Sequence, residues 1–313
     1  MRLGITRTHR LGAAFLASGA FVVAAPLAAP AYAAPAPPTV TAKGAYLLDN
    51  TANKKLWSKG ADTKRQMAST TKVMTAVTVL GTANLDLDKK VTIKKDYRTY
   101  VTRNGASTAD LKTGDKVTVK QLLYALMLPS GCDAAMALAD TYGTGTTVSA
   151  RTKSFIKKMN SNAAKLGMTN TKYDSFDGIS AAGNNYTTPR DAATLARKAL
   201  SYSTLRGVVK SQKTVQKATN GRTYTWYNTN KLLGSYSGAI GIKTGTGTSA
   251  GPCLIFAATR NGRTVVGVLL HSSSGDARYT DATKMLNYAF KTSSSSAAGT
   301  LNLRQLPAAA QRD

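Results

Sequence analysis

The chain of 313 residues carries 42 Lys and Arg against 15 acidic groups, a formal charge of +27, and is 42% hydrophobic, enough to bury a full core. All fifteen acidic residues are aspartate and the two histidines are His9 and His271, which excludes His-Glu-x-x-His zinc hydrolases and the glutamate pairs of most glycosidases. The basic residues are scattered, with no aromatic RNA-binding motif or helix-turn-helix signature, so the charge indicates no specific nucleic acid.

The N-terminus has the pattern of a secretory leader. Arg2, Arg7 and Arg10 precede a small, apolar stretch over 11–27, and Ala31-Tyr32-Ala33 offers a small-x-small cleavage site. Cleavage after residue 33 leaves 280 residues with a charge of +24. An uncleaved anchor is the alternative, because the apolar stretch nearly reaches spanning length. For an exported protein this basic, the complementary partners are phosphate-rich wall polymers and anionic lipid head groups. Cys132 and Cys253 are the two cysteines, and their positions leave open whether they pair.

Residues 34–39 are Pro- and Ala-rich and read as an extended spacer. Residues 44–50 and 55–58 flank Asn50-Thr51-Ala52-Asn53, a strand-turn-strand pattern. The run 73–80 is rich in Val and Thr, but Val73, Ala76, Val77 and Leu80 follow helical spacing and Gly81 can close a helix. Its apolar character nearly all round predicts a buried central helix. Short strands are expected at 91–93 and 116–118 around a Gly/Ser/Thr-rich loop. Helices follow at 120–127, 133–142, 153–166 and 189–200, with Pro189 at a first helical position after two threonines. Ser130-Gly131-Cys132 falls in the tight turn between the first two of these.

The last third turns to strands at 238–246, 252–259 and 264–271, with Asn261-Gly262 as a hairpin turn. A final helix at 276–291 and a Ser/Ala-rich loose tail over 293–313 complete the chain. The expected fold is α+β: one antiparallel five-stranded sheet in which the first hairpin joins the last three strands, flanked by helices, plus a mostly helical subdomain. Residues 34–292 form its domain.

Three motifs occur in order: Ser69-x-x-Lys72, Ser130-Gly131-Cys132 and Lys243-Thr244-Gly245. A serine and a lysine three apart on a helix share one face, so the amine can take the hydroxyl proton and no histidine is needed. A helix starting at Ser69 would set the hydroxyl at the positive end of its dipole. The spacing alone proves little, since Ser154 and Lys157 repeat it in an amphipathic helix. Lys112-Thr113-Gly114 is a rival third motif, but it precedes Ser130 and runs into Asp115 as a turn does. A Ser-His-Asp triad would need His271, which closes an apolar strand and reads as structural.

Together the motifs resemble those of the serine D-alanyl-D-alanine carboxypeptidases, the low-molecular-mass penicillin-binding proteins. The likeness runs from Tyr46 to Ser272. It includes Met67-Ala68-Ser69-Thr70-Thr71-Lys72, Leu122-Leu123-Tyr124-Ala125-Leu126-Met127 leading into Ser130-Gly131-Cys132-Asp133-Ala134-Ala135, and Gly241-Ile242-Lys243-Thr244-Gly245-Thr246. The resemblance implies a penicillin-binding protein/β-lactamase-like fold and an acyl-enzyme on Ser69. It further implies Lys72 as base, Ser130 as proton relay, and the N–H groups of Ser69 and Thr246 as oxyanion hole. Lys243, Thr244, Gly245 and Thr246 would bind the substrate, with Lys243 and Thr244 on its terminal carboxylate. Peptidoglycan stem peptides are the implied substrate, β-lactams the implied covalent inhibitors, and no cofactor or metal is implied.

Cys132 departs from the family's usual asparagine and should align substrate less well, since a thiol is a weak donor and acceptor. The chain has no stretch expected to form the large β domain that many members carry. The absence of glutamate argues against a β-lactamase, whose class A members use one to activate water. A non-catalytic, basic wall-binding protein or β-lactam sensor of the same fold is the alternative reading.

Overall fold

A computed structural model of the protein describes residues 8–9, 36–291 and 302–310; the expected cleavage site at 31–33 lies outside them. The first hairpin forms as its turn residues dictate, with β1 (Gly44–Asp49) antiparallel to β2 (Lys54–Lys59). Next come β3 (Arg65–Gln66), a 3-10 turn over Ala68–Thr71, α1 (Lys72–Leu80) and β4 (Lys90–Thr92). They are followed by α2 (Lys95–Asn104), β5 (Lys116–Thr118), α3 (Val119–Met127), α4 (Cys132–Tyr142) and α5 (Val148–Lys165). Then come β6 (Tyr186–Thr187), α6 (Pro189–Ser201), α7 (Ser203–Lys210), β7 (Lys213–Lys217) and β8 (Thr223–Tyr227). The chain closes with β9 (Ala239–Gly245), β10 (Cys253–Arg260), β11 (Arg263–Leu270) and α8 (Ala277–Phe290).

Alternating apolar side chains explain why the last three strands read as continuous hydrophobic runs: the sheet is covered on both faces. Along β10, Cys253, Ile255 and Ala257 face one core, while Leu254, Phe256 and Ala258 face the other. Tyr46 and Leu48 of β1 and Val266 and Val268 of β11 join the first core, against α1 and α6. Leu47, Val265 and Leu269 join the second, under Tyr279, Ala282, Met285 and Leu286 of α8. Each such large apolar side chain contributes about 1.5–3 kcal/mol by leaving water. The sheet runs β2-β1-β11-β10-β9 with antiparallel neighbours, so the first hairpin does join the last three strands.

α1 is the buried helix that its composition predicts, with Lys72 to Val79 all inaccessible. Thr118 caps α3 through a reciprocal pair with Gln121. Of the two threonines before Pro189, Thr188 is the cap, its hydroxyl accepting from the Asp191 N–H at 3.1 Å.

Several segments depart from expectation. Residues 95–104 form α2 rather than a loop; only Tyr97 and Val101 of it are buried, one turn apart, too thin a stripe to dominate the pattern. α7 and the β7–β8 hairpin were also unmarked, the hairpin because one face is Lys, Thr and Val in solvent while Tyr224 and Trp226 alone are inaccessible. The expected loose tail does not hold over 302–310. Arg304 donates from Nε to the Leu233 carbonyl at 3.1 Å and from Nη2 to the Asn228 carbonyl at 2.6 Å, and Leu306 is buried. No helix among the described residues is long and apolar enough to cross a membrane.

Candidate active site

Ser69 sits in the 3-10 turn and not at the start of the helix proper, which begins at Lys72. The turn is built by its neighbours. Ala68 takes a left-handed φ of 45°, and the Thr70 hydroxyl donates to the Met67 carbonyl at 2.6 Å. Asn185 donates to the Thr71 hydroxyl at 2.7 Å. Gly178 lies against the Ala68 carbonyl so closely that a Cβ there would stand 2.0 Å from the oxygen. On the other side, a Cβ on Gly245 would stand 2.9 Å from the Ser69 nitrogen. Glycine at 245 therefore lets the end of β9 lie directly on the Ser69 backbone.

Lys72 is wholly inaccessible and its amine makes two contacts. It lies 2.9 Å from the Ser69 hydroxyl and donates to the Asp177 carbonyl, also at 2.9 Å. The first is the separation at which a proton passes directly between nucleophile and base. The Asp177 carboxylate is held aside, accepting from the Tyr100 hydroxyl at 2.8 Å and the Ile179 N–H at 3.0 Å. Burial, with the Asp177 charge beside it, holds the Tyr100 phenol well above its ordinary range, so it stays a donor.

Ser130 stands in the expected turn between α3 and α4, at a φ of 62°. Its hydroxyl is buried without a hydrogen-bond partner among the described residues, an arrangement that costs about 1–3 kcal/mol unless a further group completes it. The turn is pinned by the loop after α2: the Ser107 hydroxyl donates to the Ser130 carbonyl at 2.7 Å, and the Cys132 N–H donates to the Ser107 carbonyl at 2.9 Å. Asp133, just past the turn, accepts from the N–H groups of Ala109 and Leu111 and from the Thr108 hydroxyl. Burial pushes the Cys132 thiol up to about 12, and the nearby Lys72 charge offsets this only in part, so the thiol is neutral. Both cysteines are free.

β9 places Lys243 and Thr244 in the interior, at 1% and 0% exposure. The Lys243 amine donates to the Thr244 carbonyl at 3.0 Å, and the Thr244 and Thr229 hydroxyls lie 2.6 Å apart. Thr246 instead faces an open groove of about 950 Å³ that Ser69, Ser107 and Cys132 also line. Behind Thr246 lies a cation that the sequence did not flag. Arg278 of α8 donates from Nη1 to the Thr246 hydroxyl at 3.0 Å and to the Gly245 carbonyl at 3.3 Å.

The motif residues thus come from the α1 turn, the α3–α4 turn and β9, and Ser69, Cys132 and Thr246 meet at one groove. Asp177, Ser107 and Arg278 were missed. Asp177-Gly178 carries a turn signature that marks a loop without marking its target, and nothing around Arg278 distinguishes it from other helix arginines. The arrangement offers a buried amine on a hydroxyl and positive charge behind the far wall. This is the equipment of acyl transfer.

Residues 31–274 match the family model described as D-alanyl-D-alanine carboxypeptidase. A D-alanyl-D-alanine carboxypeptidase of Streptomyces sp. strain K15 is 54% identical over 91% of this chain and 99% of its own. The DacF carboxypeptidase of Bacillus subtilis is 30% identical over 80% of this chain, which spans 62% of DacF. Among solved structures, the crystal structure of the Streptomyces K15 DD-transpeptidase superposes with a TM-score of 0.79 at 56% identity, over 81% of this chain and 98% of that one.

Proposed function

The chain belongs to the D-alanyl-D-alanine carboxypeptidase family, an enzyme of the penicillin-binding class, and on that premise we propose that it is exported and works through an acyl-enzyme on Ser69. The observation that carries the acyl-enzyme is the 2.9 Å contact between the inaccessible Lys72 amine and the Ser69 hydroxyl; export rests on the leader-like N-terminal sequence.

Lys72 takes the proton as Ser69 Oγ attacks the carbonyl between the two terminal D-alanines of a stem peptide. The oxyanion forms against the N–H groups of Ser69 and Thr246, each worth about 10²–10³ in rate in comparable sites. The proton passes through Ser130 to the departing D-alanine nitrogen, which gives the buried hydroxyl the partner it lacks. The substrate's free carboxylate meets the Thr246 hydroxyl, with Arg278 behind it and Lys243 and Thr244 deeper in the same wall. The bond broken is the peptide bond and the bond formed is the Ser69 ester. Water or an amine then attacks that ester and regenerates Ser69.

With no glutamate to activate water and a neutral thiol at position 132, transfer to an amine gains over hydrolysis, and penicillin clears slowly from Ser69. Mass spectrometry of peptide products, with and without an added amine, tests this. D-Alanine release with a cross-linked product supports the reading, and hydrolysis alone in the presence of amine rejects the transfer preference. The charge of +24 expected for the mature chain holds it to anionic wall polymers or lipid head groups, an association that 0.5 M salt should reverse.

A further inference from the structure

From the groove's wall we infer that Ser107 is a substrate-binding residue that supplies the polar contact Cys132 does not make. The inference deepens the acyl-enzyme reading and rests on it.

An acyl chain on Ser69 has a peptide group immediately N-terminal to the attacked carbonyl, and that group loses water when it enters the groove. It needs partners there. Cys132 lines the groove but is 1% exposed, and its neutral thiol is weak in both hydrogen-bonding roles. Beside it stands a better group. The Ser107 hydroxyl is 3.5 Å from the Cys132 sulfur, lines the same groove and is partly open to it.

The hydroxyl is also held in place. Its proton goes to the Ser130 carbonyl at 2.7 Å and the Cys132 S–H faces one oxygen lone pair at 3.5 Å, which leaves the other for an incoming N–H. The Ser107 backbone carbonyl accepts from the Cys132 N–H, and Asp133 fixes the following residues through two backbone N–H groups and the Thr108 hydroxyl. A fixed acceptor in the groove that the nucleophile lines binds the substrate N–H at a reduced ordering cost. Ser107 therefore carries a recognition contact, and its partner is the amide of the acyl residue.

The test compares acylation rates of Ser69, read by intact mass, for benzylpenicillin, which has a side-chain amide, and penicillanic acid, which has no nitrogen at that position. Ser107→Ala also releases the Ser130 carbonyl for both compounds, so the ratio is what is read: the first should slow about tenfold more than the second, which is about 1.4 kcal/mol. Ser107→Thr, which keeps the hydroxyl, should recover the benzylpenicillin rate to within about threefold. In a Cys132→Asn background, where an amide takes over the contact, the effect of Ser107→Ala should shrink to under threefold. Equal slowing of both penicillins, or no slowing of benzylpenicillin, overturns the assignment. If wild-type protein reacts with neither penicillin, the acyl-enzyme reading fails first and this one with it.

Discussion

Gly178→Ala isolates the fit between the 177–179 loop and the Ser69 turn. A Cβ at this position would stand 2.0 Å from the Ala68 oxygen and 2.9 Å from the Ser69 nitrogen. Both are backbone atoms, so no side chain can swing aside, and the two segments must part by at least about 1 Å to restore contact distance. The native φ of 102° adds strain for any residue with a Cβ, of order 1–3 kcal/mol. Urea denaturation should show a loss of about 2–4 kcal/mol. The chemical effect is larger, because a misplacement of about 1 Å costs on the order of 10²-fold in rate. We therefore expect penicillin acylation of Ser69 to fall about 10²-fold in the variant while it is still folded. Gly207→Ala is the matched control. Gly207 lies exposed in α7 with nothing within 4 Å of an added Cβ. It should gain about 0.5–1 kcal/mol from helix propensity and acylate as wild type does. Wild-type stability and an acylation rate within threefold for Gly178→Ala would refute the packing argument.

Two predictions concern titration. Burial works to raise the Asp140 carboxyl, but hydrogen bonds from Lys94, Tyr97 and Arg151 outweigh it and hold the group below its ordinary 3.8. A depressed folded value gives stability that is present above the unfolded value and is lost as pH falls through the folded one. Asp140→Asn should thus cost about 1.5–3 kcal/mol at pH 7, with the gap from wild type closing below pH 3.8 in urea titrations at stepped pH. Burial likewise pushes Cys253 up to about 11 and Cys132 up to about 12. At pH 8 neither thiol should react with iodoacetamide until urea unfolds the chain, and fast native-state alkylation of either would contradict their described environments.

Continuous β-rich apolar runs made the sheet legible: those that become β10 and β11 are apolar on both faces, and Asn261-Gly262 fixes their hairpin. The site was legible to the extent that its groups lie close in sequence. Ser69 and Lys72 share one turn, and Ser130 and Cys132 another. What escaped was held by long-range contact. The Asp177 carbonyl reaches Lys72 across 105 positions, and Arg278 reaches Thr246 across 32. α2 and the β7–β8 hairpin bury two aromatic or apolar side chains apiece, so their periodicity is faint although their positions in the fold are definite. The resemblance assigned the terminal carboxylate to Lys243 and Thr244; both are buried in β9, and Thr246 is the member of that motif that lines the groove.

The central claim is a serine made nucleophilic by a buried lysine, and peptide mapping of penicillin-treated protein tests it most directly. The account predicts one stoichiometric adduct, on the peptide containing Ser69, absent in Ser69→Ala and formed at least about 10²-fold more slowly in Lys72→Met. An adduct on any other residue, or full-speed labelling without the Lys72 amine, would contradict it.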